Sequence, residues 1–320
     1  MYSNTHHTKT LADLLDGGRR MTAEEIFSII FPTLHILKDM HRRGKVHGHI
    51  SPDCIVLEDN DRLLFCCPLN TAAQTRLLKS IQVSGTSFCR MISLTDSSVD
   101  FAAEAAPYRA LETYMNGPLT PAADVYSLCA VIYRAITGTP PKTAQEKMYG
   151  GQPALPASDA AGADIELTDI LNKGMALLPG GRYADAGELA ASLEIYRVRL
   201  LCEDFAKKYP NHYSAGITSA LKKGLGITTE TVYLSHDDTF RKSGKNGFAV
   251  TDQGFFCRNI FSAAQAMTFE QFKAADNISD FRSGIIYADG QPIVCISGIS
   301  SREQEQADLK DLIKAIQKTL

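Results

Sequence analysis

Apolar residues recur at helical spacing through the first two thirds of the chain, and from Thr231 onward they fall into short strand-like runs. Leu11, Leu14 and Leu15 predict a helix over residues 8–18 that stops at Gly17-Gly18. Thr22-Ala23-Glu24-Glu25 is a capping box, since the Thr22 hydroxyl can accept from the Glu25 amide while Glu25 reaches back. The helix it opens carries Ile26, Ile29, Ile30, Leu34, Ile36 and Leu37 on a broad stripe and ends at His41-Arg42-Arg43-Gly44. Pro32 within it should kink the helix mildly or face an exposed carbonyl.

Ile55-Val56-Leu57 and residues 61–65 predict two short strands about the acidic turn Glu58-Asp59-Asn60-Asp61. Residues 70–107 are rich in Ser and Thr and weakly periodic, which predicts a long loop. An apolar helix follows from Thr120 to Ile136, closed by Thr137-Gly138-Thr139-Pro140-Pro141. The pattern is helical again from Glu194 to Lys208, where Pro210-Asn211 breaks it. A short amphipathic helix should span residues 215–225, its Lys222-Lys223 pair a solvated face.

After Thr231 the expected strands are Val232-Tyr233-Leu234, Phe248–Thr251, Gly254–Cys257, Ile285-Ile286-Tyr287 and residues 293–297. Turn signals separate them at Lys245-Asn246-Gly247, Asp252-Gln253-Gly254 and Asp289-Gly290. A final helix over residues 302–320 places Leu309, Leu312, Ile313 and Ile316 on one face.

Composition narrows the picture only by exclusion. The 320 residues suit about two domains, and a net charge of -3 with a pI near 6.2 gives no reason to expect nucleic acid as partner. Eight cysteines are scattered without C-x-x-C spacing, which argues for a reducing compartment. No apolar run approaches the ~20 residues of a membrane span, and the polar start Met1-Tyr2-Ser3-Asn4 is unlike a signal peptide. A cytoplasmic protein is expected.

The stretch His47-Gly48-His49-Ile50-Ser51-Pro52-Asp53-Cys54, between a helix and a strand, resembles the catalytic loop of Hanks-type protein kinases, His-Arg-Asp-Leu-Lys-Pro-x-Asn. Pro107-Tyr108-Arg109-Ala110-Leu111-Glu112 resembles the family's Tyr-x-Ala-Pro-Glu, with Leu111 in place of Pro. Thr120 to Pro141 is similar to helix F of bacterial Ser/Thr kinases, and Leu171 to Leu178, then Pro179-Gly180-Gly181-Arg182-Tyr183 and Glu188-Leu189, resembles the closing pair of helices, so a helix is expected over Leu171–Leu178. The resemblance covers about residues 8–197. It implies that His47 and Pro52 shape the loop, that Asp124 binds loop amides, and that Glu112 pairs with Arg182.

The same resemblance places His49 where the family has its catalytic Asp, Ser51 at the Lys position, and Cys54 at the magnesium-holding Asn. Counting in register, the Asp-Phe-Gly motif falls on Cys67-Pro68-Leu69, so both magnesium positions are cysteine. Only 46 residues precede His47, and they carry neither a Gly-rich loop nor a strand lysine. No catalytic residue is intact, and the expectation is a pseudokinase with no cofactor. Thr86, Ser87, Ser93, Thr95, Ser97 and Ser98 could accept phosphate from another kinase, against the plainer reading of a solvated loop. His49, Cys54 and Cys67 converge in a kinase fold, and imidazole with thiolates is a zinc donor set. Against zinc, their spacing fits no local zinc signature, and small cysteines pack well when buried.

The strand run closed by a helix resembles a pleckstrin-homology-like (PH/GRAM-like) domain, with His236-Asp237-Asp238-Thr239 and Ser243 to Thr251 as the local likeness. His236, Asp237 and Asp238 are read as ending a strand and setting a turn. The expected fold is therefore α+β and multidomain. It has a mainly helical kinase-like C-lobe over 1–197, a helical linker over 198–227, and an antiparallel β-barrel or sheet with a C-terminal helix over 228–320. The expected function is a non-catalytic scaffold in bacterial signalling. Its protein partner is expected at the groove an N-lobe would cover or on the PH-like domain, with self-association as a further possibility. The alternative is a phosphotransferase whose N-lobe comes from another chain or from upstream sequence.

Overall fold

The computed structural model describes residues 9–57, 63–65, 103–115, 119–150, 164–239, 241–279, 281, 284–296 and 303–320. The chain forms two compact units, Met1–Ser192 and Leu193–Leu320. Both mix helices with antiparallel sheet, as expected for an α+β chain.

In the first unit Lys9–Thr10 (β1), Ile55–Leu57 (β2) and Leu63–Phe65 (β3) pair antiparallel in that order. Thr10 stands opposite Val56, and Ile55 opposite Phe65. The helix expected over residues 8–18 is a single turn, Leu11–Leu14 (α1). Two local causes shorten it. Thr10 belongs to β1 and also caps α1 by exchanging hydrogen bonds with Asp13, and Gly17 at φ 66° breaks the chain beyond.

Ala23–Arg42 (α2) begins with the expected capping box between Thr22 and Glu25. Pro32 and Ser28, whose carbonyl loses its helical partner to the proline, both lie on the exposed face, so water can satisfy that oxygen. Pro121–Thr137 (α3) is buried on every side from Ala122 to Ile132, the mark of a central helix. Gly138 ends it at φ 78°, a left-handed cap open to glycine. Ala144–Gly150 (α4) follows. The helix expected over Leu171–Leu178 is instead Ile165–Gly174 (α5), capped by Asp164, and Leu178 lies 68% exposed outside it. The capping aspartate, not the apolar run, fixes its start. A Cβ on Gly174 would lie 2.2 Å from Cys129 Sγ, so α5 packs closely on α3 only because that position is glycine.

Ala186–Lys208 (α6) runs through the unit boundary. In the second unit its Val198, Cys202 and Phe205 are buried with Tyr213, so much of the stretch expected to be a linker lies in this unit's core. Ser219–Leu225 (α7) starts later than expected, because Thr218 caps it by accepting from the Leu221 amide. Val232–Asp237 (β4), Gly247–Thr251 (β5), Gly254–Arg258 (β6) and Gln265–Thr268 (β7) form an antiparallel meander. One cross-strand row runs from His236 through Phe248 and Cys257 to Gln265.

Phe269–Lys273 (α8) follows β7, and Ile285–Ala288 (β8) pairs with Gln291–Cys295 (β9) as a separate hairpin. Glu303–Thr319 (α9) buries Leu309, Leu312, Ile313 and Ile316, the face expected from the sequence. Among the described residues the strands do not close into a barrel. No helix of the described residues is long and apolar enough to cross a membrane.

Candidate functional site

The loop from Gly44 to Cys54 joins α2 to β2, and one buried carboxylate organises it. Asp124, in the first turn of α3, accepts from the His47 amide through Oδ2 and from the Gly48 amide through Oδ1, both at 2.7 Å. Two successive amides can face one carboxylate because Gly48 sits at φ 79°, where a side chain would be strained. A third donor reaches Asp124 from α2, where His41 Nε2 lies 2.9 Å from Oδ2. The Ala186 amide donates to His41 Nδ1 at 3.1 Å, so Nδ1 carries no proton and Nε2 must be the donor. His41 therefore ties α2, α3 and the start of α6 to one point. Sequence alone does not single it out, although it continues the buried stripe Ile30, Leu34, Leu37 at helical spacing.

Within the loop, His47 is buried and its Nδ1 accepts from the His49 amide at 3.3 Å. The His49 ring is partly buried. Burial pushes its basicity down and the Arg109 guanidinium adds to this, while Asp124 opposes. The ring is thus a neutral imidazole near pH 7, able to accept a proton. Pro52 opens the short 3-10 turn Pro52–Cys54 and is buried with Ser51 and Cys54. The Cys54 thiol donates to the His49 carbonyl at 3.0 Å and lies 3.4 Å from Ser51 Oγ. Burial holds Tyr108, in the segment leading to Glu112, up at about 12, with the Arg134 charge and hydrogen bond opposing.

A second junction is built on Arg182. Its Nη1 and Nη2 donate to the two Glu112 carboxylate oxygens at 2.6 and 3.1 Å. Its remaining donors go to the carbonyls of Ala122, Ala176 and Leu177 at 3.1, 2.6 and 2.8 Å. All five N–H groups of the guanidinium are used, and the side chain is fully buried. Its face also lies over the Tyr126 ring, whose hydroxyl accepts from Lys147 Nζ at 2.8 Å.

Cys67 and the six candidate phosphate acceptors between Thr86 and Ser98 lie outside the described residues. Among the described residues no group of three His, Cys, Asp or Glu side chains could hold a metal ion. In the second unit Asp237 accepts from the Thr239 and Gly244 amides at 3.0 and 2.9 Å, which shapes the β4–β5 turn. His236 Nδ1 donates to the His212 carbonyl at 2.6 Å, and Asp238 accepts from Asn246 at 2.8 Å.

No family model matches the chain. It is 25% identical over 218 residues to serine/threonine-protein kinase PknL of Mycobacterium tuberculosis, covering 66% of this chain and 50% of that one. It is 24% identical over 193 residues to PknB of the same organism, covering 58% of this chain and 28% of that protein. Serine/threonine-protein kinases drp72 of Corynebacterium efficiens is 27% identical over 199 residues, 59% of this chain and 34% of its own. A solved structure titled PpkA-294 apo form overlaps at a TM-score of 0.43 with 20% identity, over 59% of this chain and 60% of that one. The chain is thus homologous to bacterial Ser/Thr kinases over about 60% of its length, and it spans half or less of the curated relatives it matches.

Proposed function

We propose that the first unit is a pseudokinase, a protein-kinase-like lobe that binds a protein partner and transfers no phosphate. The reading is carried by one contrast. Asp124 holds the loop backbone through two buried amides, yet the positions that would do the chemistry carry His49 and Cys54. The Cys54 thiol is committed to the His49 carbonyl, and a thiol is a poor ligand for magnesium in any case. Loss of a general base alone costs ~10²–10⁴-fold in rate, and loss of metal positioning removes most of what remains. The meander β4–β7, the β8–β9 hairpin and α9 support a PH-like interaction domain over 228–320, with Val198, Cys202, Phe205 and Tyr213 of the 198–227 stretch built into the same core.

The partner docks on the face that carries the 47–54 loop or on the second unit, in the cytoplasm. The test is a thermal shift of the full chain with ATP, with and without magnesium, alongside transfer of labelled terminal phosphate to a generic acceptor protein. Neither a shift nor transfer is expected. A magnesium-dependent shift, or transfer that His49→Ala abolishes, overturns the proposal.

One observation favours a second reading, a phosphotransferase completed by another chain or by sequence upstream of Met1. The relatives bear the name of serine/threonine-protein kinases, and the chain spans half or less of them. Coding sequence before Met1 with a Gly-rich loop and a strand lysine would select it.

A further inference from the structure

Charges on the four-stranded meander of the second unit are sorted by sign between its two ends. Gly247, which opens β5, pairs with Asp237 at the end of β4 and with Arg258 at the end of β6, so the β4–β5 and β6–β7 loops leave the sheet at one end. The last turn of α7 reaches the same end, where Arg258 Nη1 donates to the Gly224 carbonyl at 3.1 Å. These segments gather Lys222, Lys223, Arg241, Lys242, Lys245 and Arg258. Lys223, Arg241, Lys242 and Lys245 are exposed, and among the described residues none of the six basic side chains is in a salt bridge. The carboxylates here, Asp237 and Asp238, are occupied within the loop by the Thr239 and Gly244 amides and by Asn246. Glu230, Asp252 and Glu270 adjoin the opposite end, where Val232 pairs with Thr251 and Gly254 with Thr268.

The tip of the β6–β7 loop is apolar instead. Asn259 folds it into a turn, its carbonyl accepting from the Ser262 amide at 2.9 Å and its Oδ1 from the Phe261 amide at 3.3 Å. That turn leaves Ile260 53% and Phe261 95% exposed, and among the described residues no other large apolar side chain is as exposed as Phe261. Neither side chain contributes to the packing of this unit. An aromatic tip beside unpaired cations fits the boundary of an anionic bilayer, where headgroups neutralise Lys and Arg while a ring enters the upper acyl region. A protein partner would need a cavity shaped to this turn and about 800 Å² of contact on each side, whereas a bilayer yields around it.

We propose that this end of the second unit docks on an anionic lipid bilayer, with Ile260 and Phe261 entering the interface and Lys223, Arg241, Lys242 and Lys245 against the headgroups. The cations sit on three separate segments and face outward, so the attraction follows the charge density of the surface and selects no single headgroup. The chain's net charge of -3 conceals this local excess. Docking of this kind does not depend on whether the first unit transfers phosphate.

The test mixes the full chain with vesicles of phosphatidylcholine alone or with about one third phosphatidylserine. The chain has no tryptophan, so Phe261→Trp places a single fluorescent reporter at the tip. The expected result is co-sedimentation with the phosphatidylserine vesicles only, a blue shift of the reporter on binding, and release in about 0.5 M salt. Vesicles carrying phosphatidylinositol bisphosphate at matched charge bind equally. Phe261→Ser weakens binding roughly tenfold, as does Lys223→Glu combined with Lys245→Glu. Ile165→Ser, which removes an exposed apolar side chain of the first unit, leaves it unchanged. Unfolding midpoints measured beside each variant stay that of the unsubstituted chain, since these side chains are exposed. Binding to neither vesicle, equal binding to both, or binding with the reporter unshifted overturns the proposal. Binding confined to phosphatidylinositol bisphosphate overturns it too, because that requires a headgroup pocket. Retention on polyglutamate by a chain that ignores the vesicles assigns this end to an acidic protein and equally overturns it.

Discussion

His41 and Asp124 stand 83 positions apart in sequence, yet His41 Nε2 lies 2.9 Å from Asp124 Oδ2 with side-chain exposures of 3% and 0%. The contact is a hydrogen bond from a neutral imidazole, because the other ring nitrogen accepts from the Ala186 amide. Asp124 thus takes three donors in buried hydrogen bonds, and its removal takes this partner from all three. Asp124→Ala should cost about 3–5 kcal/mol, the range for breaking a buried charged network. Asp124→Asn should fare little better, since its amide N–H₂ turns a donor toward a backbone amide. His41→Leu keeps the volume but orphans only one amide and one lone pair, so about 1–3 kcal/mol is expected. Denaturant unfolding of the three variants checks the order.

Arg182 makes a different prediction. Two of its five donors meet Glu112, and three meet backbone carbonyls that no substitution can move. Arg182→Lys offers three donors from a point and cannot fill that fork. A loss of about 2–4 kcal/mol should follow. The charge swap Glu112→Arg with Arg182→Glu should not recover stability, because a carboxylate would then face the Ala122, Ala176 and Leu177 oxygens. A double-mutant cycle that showed rescue would make the Glu112 pair, not the carbonyl cage, the dominant contact.

Lys147 should work against the fold at neutral pH. It is 6% exposed, and burial with the nearby Arg182 charge holds it at about 8 against an ordinary 10.5. Below pH 8 the ammonium is charged in both folded and unfolded chains, and the folded chain carries the burial penalty. Between about 8 and 10.5 only the unfolded chain still binds the proton, so stability should rise with pH across that window. Such a shift corresponds to about 3 kcal/mol, less about 1 kcal/mol for the hydrogen bond to the Tyr126 hydroxyl. Lys147→Met should therefore stabilise the chain at pH 7 by about 2 kcal/mol and flatten the alkaline rise. Urea midpoints at pH 7 and pH 10 for both proteins decide it.

What the sequence made legible follows from how local each signal is. The capping box at Thr22, the stripe on α2, the buried α3 and its Gly138 stop depend on neighbours within a few positions, and they appear as expected. The edge strand β7 shows no alternation, because only Met267 of its four residues is buried, so nothing in residues 265–268 marks a strand. Likewise β1 is two residues long and exists only through pairing with β2. At the candidate site the motif positions of Asp124, Glu112 and Arg182 could be read, but His41 could not, since a histidine on an apolar stripe reveals its role only when Asp124 and Ala186 arrive from elsewhere in the chain.

The last prediction concerns backbone against backbone in the second unit. A Cβ on Gly244 would lie 2.2 Å from the Ala220 carbonyl oxygen and 2.4 Å from its carbon, with φ at +70°. On the facing helix α7, a Cβ on Gly224 would come within 1.9 Å of the Gly244 carbonyl oxygen. The two glycines let α7 rest directly on the loop that Asp237 organises. Neither obstacle is a flexible side chain, so relief requires the helix to move. Gly226 offers the control, since it has φ +75° with open space where its Cβ would stand. Gly226→Ala should cost only the conformational term, about 1 kcal/mol. Gly244→Ala should add an overpacking cost of about 1–3 kcal/mol. Equal losses in the two variants, measured by chemical denaturation of the full chain, would mean that α7 is not seated on that loop.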